Sequence, residues 1–157
     1  MGYMKSKGDI LNPKEHSQYH SAIAFDPILE NLPNFYIYDT DVTPLDSIIA
    51  HYSSVIENLR LIKMDGENRW PKQDKKWLEL AIGQDVNNNI IIIYCHNSLS
   101  MFEFNNLILS LPLELVVAQH LEGNASAQVY FEIDNYKIDY DNGEHVPNLI
   151  GFKSKKF

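Results

Sequence analysis

The sequence predicts an α+β fold: a mixed, mainly β core with two helices. Three observations carry that prediction. Short β-branched and aromatic runs recur along the chain, bounded by Asn, Asp, Gly and Pro. Only two segments carry helical start signals. Strands outnumber helices, and the connections between them are mixed. At 157 residues the chain reads as a single domain over 1–157, long enough to bury a sizeable core.

Residues 8–18 are polar and contain Gly8, Asn12 and Pro13, so they read as a loop. Tyr19 to Phe25 reads as a strand closed by Asp26-Pro27, and Phe35 to Tyr38 as a second, aromatic one. Thr43 as N-cap and Pro44 at the first helical position open a helix whose apolar face is Leu45, Ile48, Ile49 and Tyr52. Alternation then returns, and 54–63 reads as one strand ending at the hairpin signal Asp65-Gly66. A polar linker from Arg69 to Lys76 leads into a strand over 77–83.

Asn87-Asn88-Asn89 is a turn, and Ile90 to Cys95 reads as an apolar strand buried on both faces. Ser100 and Glu103 have capping-box spacing and start a helix through about Ser110, with Phe104, Leu107, Ile108 and Leu111 as its face. A strand into Leu121, a turn at Gly123, strands near 127–133 and 136–140, a turn at Asn142-Gly143 and a closing segment from Val146 to Phe152 complete the chain.

The net charge of −8 and the presence of only two arginines, Arg60 and Arg69, argue against nucleic acid and anionic membranes as partners. The lysines near both ends read as solvated tails. No apolar run approaches the ~20 residues of a membrane span, and Met1 to Gly8 lacks the apolar region of a signal peptide. The chain as written thus reads as cytoplasmic. The single cysteine, Cys95, excludes an internal disulfide and reads as a buried structural thiol. His16 and His20 stand four apart but not on a helix, so no zinc pair is expected. The acidic stretch Asp134, Asp139, Asp141 and Glu144 lacks a calcium-loop pattern and reads as a solvated hairpin tip. No metal and no cofactor are predicted, and the oligomeric state is not legible.

The segment most suggestive of a site is His120-Leu121-Glu122-Gly123-Asn124-Ala125-Ser126, where an apolar strand delivers a carboxylate to a tight turn. Together with Ser110 to Leu115, Val129-Tyr130 and Val146 to Gly151, it resembles the C-terminal half of the phosphodiester glycosidase family. The family hallmark is a strand ending in Asp-Gly-Gly-Gly-Ser, written Leu-Glu-Gly-Gly-Pro in a bacterial subgroup. Asn58 to Ile62, Trp77 to Gly83 and Ser98 to Phe104 match upstream motifs in order. The resemblance covers roughly 54–152 well and 1–53 loosely. Family domains begin further upstream, so the expectation is a domain lacking its N-terminal part. Members are often exported to the periplasm or cell surface, which stands against the cytoplasmic reading.

The resemblance implies a glycosidase-type hydrolase acting on a sugar phosphodiester or a cell-envelope glycan. The alternative is a non-catalytic, glycan-binding or structural member of the same fold. Two facing carboxylates suit such chemistry. Glu122 is the first candidate, against a turn-capping role, and Glu79 the second, against a solvated position on an alternating strand. Gly123, Asn124 and Ser126 are candidate substrate contacts from the hallmark loop. Arg60 is a candidate for a phosphate oxygen, with an ion pair as its alternative. His96, in the loop after the apolar strand, is a further candidate contact. Asn124 and Ala125 replace two hallmark glycines, and of the two only Asn readily accepts a left-handed backbone.

Overall fold

The computed structural model describes residues 2–141, 143–146 and 148–153. The described chain contains eleven strands: β1 (Met4–Ser6), β2 (Asp9–Asn12), β3 (Ser21–Pro27), β4 (Phe35–Asp39), β5 (Tyr52–Asn58), β6 (Arg60–Ile62), β7 (Trp77–Asp85), β8 (Ile90–Leu99), β9 (Leu115–Gly123), β10 (Val129–Ile133) and β11 (Tyr136–Tyr140). Helix α1 (Leu45–His51) lies between β4 and β5, and α2 (Met101–Ser110) between β8 and β9. The mainly β architecture with two helices agrees with the sequence prediction.

Two antiparallel sheets form the body. The first has the order β2-β1-β5-β3-β4 and the second β6-β9-β7-β8, while β10 and β11 make a separate hairpin. Side chains alternate across each strand, and the core clusters show where each face goes. Ile23 and Ile37 of the first sheet meet Ile82 and Val117 of the second. Ala22, Ala24 and Val55, on the opposite face of the first sheet, pack against Ile48 of α1. Ala81 and Ala118, on the far face of the second, pack against Met101, Phe104 and Ile108 of α2. The layers therefore run α1, sheet, sheet, α2.

Several sequence expectations are corrected. Within the predicted loop 8–18, Asp9–Asn12 is a strand paired with β1. The turn between them is Lys7-Gly8, with φ of 50° and 96°, the doubly left-handed form that a two-residue hairpin requires. Lys5 is no solvated tail, because its Nζ donates to the carbonyls of Ile49 and Tyr52 at 3.0 and 2.9 Å and caps α1. Pro44, not Thr43, is the N-cap of α1, and Tyr52 already belongs to β5.

The predicted strand 54–63 is two strands in two sheets. Asn58 Oδ1 accepts the Leu59 N–H at 2.8 Å, a local bond that interrupts the ladder where the chain changes sheet. The apolar strand at Ile90 is not buried on both faces. As β8 it is the edge of its sheet, with Ile92 47% exposed, while Ile91, Ile93 and Cys95 pack toward the α2 cluster. Cys95 is accordingly only half-buried, and its thiol donates to the Asn97 carbonyl at 3.3 Å. Leu107 and Leu111 are exposed, and Met101 and Asn105 take their places on the buried face of α2. Asn142 of the predicted Asn142-Gly143 turn and Pro147 of the closing segment lie outside the described residues.

The capping box of α2 is present as predicted. Ser100 Oγ accepts the Glu103 N–H at 3.2 Å, and Glu103 Oε2 accepts the Ser100 N–H at 2.9 Å. The Ser100 N–H, with Lys76 and the Ser100 hydroxyl, lowers the Glu103 pKa from 4.5 to about 2. A depressed carboxyl contributes stability above its unfolded value, and that stability is lost as pH falls through the folded value. Replacing Glu103 by Gln should therefore flatten the acid limb of the stability curve between about pH 4.5 and 2, read as the thermal unfolding midpoint against pH.

Candidate functional site

The best-built polar cluster lies where β7 begins and β9 ends. In this ladder Glu79 stands opposite Gly123, Leu80 opposite Glu122 and Ala81 opposite His120. Leu121 is the extra residue of a bulge, so the count between His120 and Glu122 does not follow simple alternation. His120, Ala81, Glu79 and Gly123 consequently share the face toward α2. Leu121 packs instead with the inter-sheet cluster, and Glu122 shares the face of Leu80.

Glu79 is 2% exposed and His120 is 17% exposed. Their side chains meet with Glu79 Oε1 and His120 Nδ1 2.5 Å apart. The other carboxylate oxygen, Oε2, accepts the indole N–H of Trp77 at 2.7 Å. Trp77 and Glu79 are two apart on one strand and so project to the same side. Burial raises the Glu79 pKa, opposed by the His120 and Trp77 bonds, and nearby Glu122 raises it further. The alternative reading of Glu79, a solvated position on an alternating strand, is therefore overturned: its carboxylate is buried and bonded.

Gly123 makes this packing possible. A Cβ there would sit 3.2 Å from the Leu78 carbonyl, 3.2 Å from Trp77 Cδ1 and 3.7 Å from His120 Cε1. The backbone at Gly123 is extended (φ −132°), so the requirement is for space rather than for a left-handed conformation. After it, Asn124–Ser126 forms a single 3₁₀ turn, closed by Ala127 N–H donating to the Asn124 carbonyl at 3.0 Å. Asn124 takes the left-handed conformation with φ 53°, and Ala125 does not. The loop thus places its one left-handed residue where Asn tolerates it. Glu122 is half-exposed, and among the described residues its carboxylate accepts no hydrogen bond.

The other candidates lie elsewhere. Arg60 Nη1 donates to Asp39 Oδ1 at 2.5 Å and to Asp41 Oδ2 at 2.7 Å. This places it on the β6 side of the sheet, away from Glu79. The Arg60 hydrogen bond holds the Asp41 carboxyl below its ordinary value. His96 is not in a loop but on the exposed edge strand β8, and its ring lies 6.2 Å from both Tyr94 and Tyr140. Tyr94 and Tyr140 stack with centroids 4.9 Å apart. Since Tyr94 also stands opposite Leu80, this aromatic group lies on the Glu122 side of the ladder. Among the described residues no group of three or more potential ligands is arranged to hold a metal ion.

His120 and Trp77 are the residues that sequence reasoning missed. The available signals were a lone histidine inside the run Leu115 to Leu121 and the two-residue spacing of Trp77 and Glu79. The partnership itself depends on the β7–β9 register.

The chain thus forms an antiparallel two-sheet domain with a polar cluster at the end of β9, just before the Asn124–Ser126 turn. A family model for phosphodiester glycosidase matches residues 1–153, and the chain belongs to that family. The match includes the first 53 residues, where the motif resemblance is loose. No curated protein matches the chain.

Two outcomes test the cluster. A carboxyl whose folded pKa is raised contributes stability below about 4.5 that is lost as pH rises through the folded value. Glu79→Gln should therefore lose less stability than the parent as pH rises above about 4.5, measured by thermal unfolding. Gly123→Ala should lower stability by about 1–3 kcal/mol in urea unfolding, because the methyl group must displace the Trp77 indole or the Leu78 carbonyl.

Proposed function

We propose that this protein is a glycosidase-type hydrolase acting on a sugar phosphodiester or a cell-envelope glycan. The observation that carries the reading is the buried Glu79 carboxylate bonded to the partly exposed His120, at a strand end beside Glu122. A carboxylate on Nδ1 fixes the imidazole's tautomer and orientation. It leaves Nε2 to take a proton from water or give one to the leaving oxygen. Glu79 is then a positioning residue, too deeply buried to meet a substrate itself.

Glu122 has the exposure that Glu79 lacks. It leaves β9 on the face opposite His120, so in this reading the substrate lies across the strand end, where the Glu122 carboxylate, near enough to Glu79 to raise its pKa, offsets the positive charge that develops at the anomeric carbon as the glycosidic bond breaks. Gly123, Asn124 and Ser126 form the adjoining rim, where backbone N–H groups and the Ser126 hydroxyl orient the sugar. Family membership supports the substrate class.

The test is hydrolysis of N-acetylglucosamine phosphodiesters by the parent and by His120→Asn and Glu122→Gln. General acid–base catalysis contributes ~10²–10⁴-fold, so each variant should lose at least about 100-fold in kcat. A Glu122→Gln rate equal to the parent's removes Glu122 from the chemistry. The stacked Tyr94 and Tyr140, with His96 beside them, favour a second reading, a glycan-binding member without turnover. In that case all three proteins are inert, and Tyr140→Ala abolishes saccharide binding.

A further inference from the structure

Both arginines of a chain with net charge −8 line one cavity. The cavity has a volume of about 220 Å³, and its walls include Arg60, Lys63, Arg69, His20, Trp70 and Pro71. It opens on the β6 side of the second sheet, away from the Glu79–His120 pair. No acidic side chain is among its lining residues. Of the carboxylates paired with these cations, Asp39 is wholly buried, whereas Asp41 and Glu67 are 43% and 54% exposed.

How each cation is held decides what the cavity can take. Arg60 is 13% exposed and spends one nitrogen, Nη1, on both Asp39 and Asp41. Its Nε and Nη2 donate to no described residue. Asp39, wholly buried, also accepts the Met64 N–H at 3.1 Å, so the guanidinium is anchored from below. Arg69 pairs with Glu67 at 2.8 Å, but both side chains are more than half exposed. Such a pair contributes little and gives way to a stronger anion. The Lys63 ammonium forms no salt bridge with a described residue. His20 Nδ1 lies 3.0 Å from Asp41 Oδ1, which turns its ring by a fixed contact. Trp70 is fastened by its indole N–H, which donates to the Arg60 carbonyl at 2.7 Å.

We infer that this cavity is a binding site for a phosphate dianion, free or carried on a small polar molecule. An anchored guanidinium with open donors, an exchangeable second guanidinium and an unpaired ammonium match the several acceptor oxygens of phosphate. The indole of Trp70 beside Pro71 supplies an apolar wall on which the face of a sugar ring stacks. The volume lies below the ~300–1,000 Å³ usual for larger ligands, which suits a phosphate or a phosphorylated monosaccharide. The inference does not rest on the glycosidase reading, because binding here needs neither His120 nor Glu122.

Calorimetric titration of the full chain with inorganic phosphate, glucose 1-phosphate and glucose tests it, at constant ionic strength. Saturable binding of both phosphates, but not of glucose, is expected. Tighter binding of glucose 1-phosphate identifies a carried phosphate as the ligand, and equal binding identifies the free ion. Lys63→Gln combined with Arg69→Gln should weaken phosphate at least 10-fold while leaving the unfolding midpoint in place, since neither side chain is buried. Glu67→Gln, which releases Arg69, should tighten it. No saturable binding, or equal affinity in the double variant, overturns the site.

Discussion

Two glutamine side chains reach across the gap between the sheets and, with the Arg60–Asp39 ion pair that also joins them, fix how the sheets dock. Gln84 Oε1, on β7, accepts the N–H of Ile37 on the first sheet's edge at 2.7 Å. Gln119 Nε2, on β9, donates to the Ile56 carbonyl at 3.2 Å. Apolar contact among Ile23, Ile37, Ile82 and Val117 favours closeness but not any one offset. Buried hydrogen bonds are directional, and leaving them unmade costs about 1–3 kcal/mol each. They therefore select one docking of the sheets. Because Gln119 immediately precedes His120, the same bonds fix where the polar strand end emerges.

That strand end concentrates opposing electrostatic demands. Glu79 is buried enough that burial is the largest influence on its titration, yet it accepts from Trp77 and lies against His120. A carboxylate buried without partners would simply stay protonated. With them, it becomes a fixed anchor for a histidine that reaches the surface. The second polar centre, around Arg60, solves a related problem differently: two carboxylates share one guanidinium nitrogen of a side chain that also lines a cavity.

Local chemistry was legible in the sequence wherever it acts over a few residues. The capping box at Ser100 and Glu103, the Asp65-Gly66 turn and the strands β3, β4 and β7 all depend on near neighbours, and all are present. What escaped depends on distant pairing. Ile90 to Tyr94 has the composition of a central strand, but nothing in that run says that β8 lies at an edge. Lys5 has the look of a terminal lysine until α1 is folded beside it. The same holds for the site. Glu79 and Glu122 stand out as carboxylates on or beside strands, whereas the Glu79–His120 contact spans 41 residues and exists only in one register.

The extra residue at Leu121 has a consequence for comparing this chain with its relatives. It inverts the presentation of everything after it on β9, so that His120 and Gly123 face one way and Glu122 the other. Two homologous chains with the same residues but a different residue count at this point would display opposite chemistry to the same ligand. In aligning such chains, the placement of a single gap carries more functional meaning than the identity of the acid beside it.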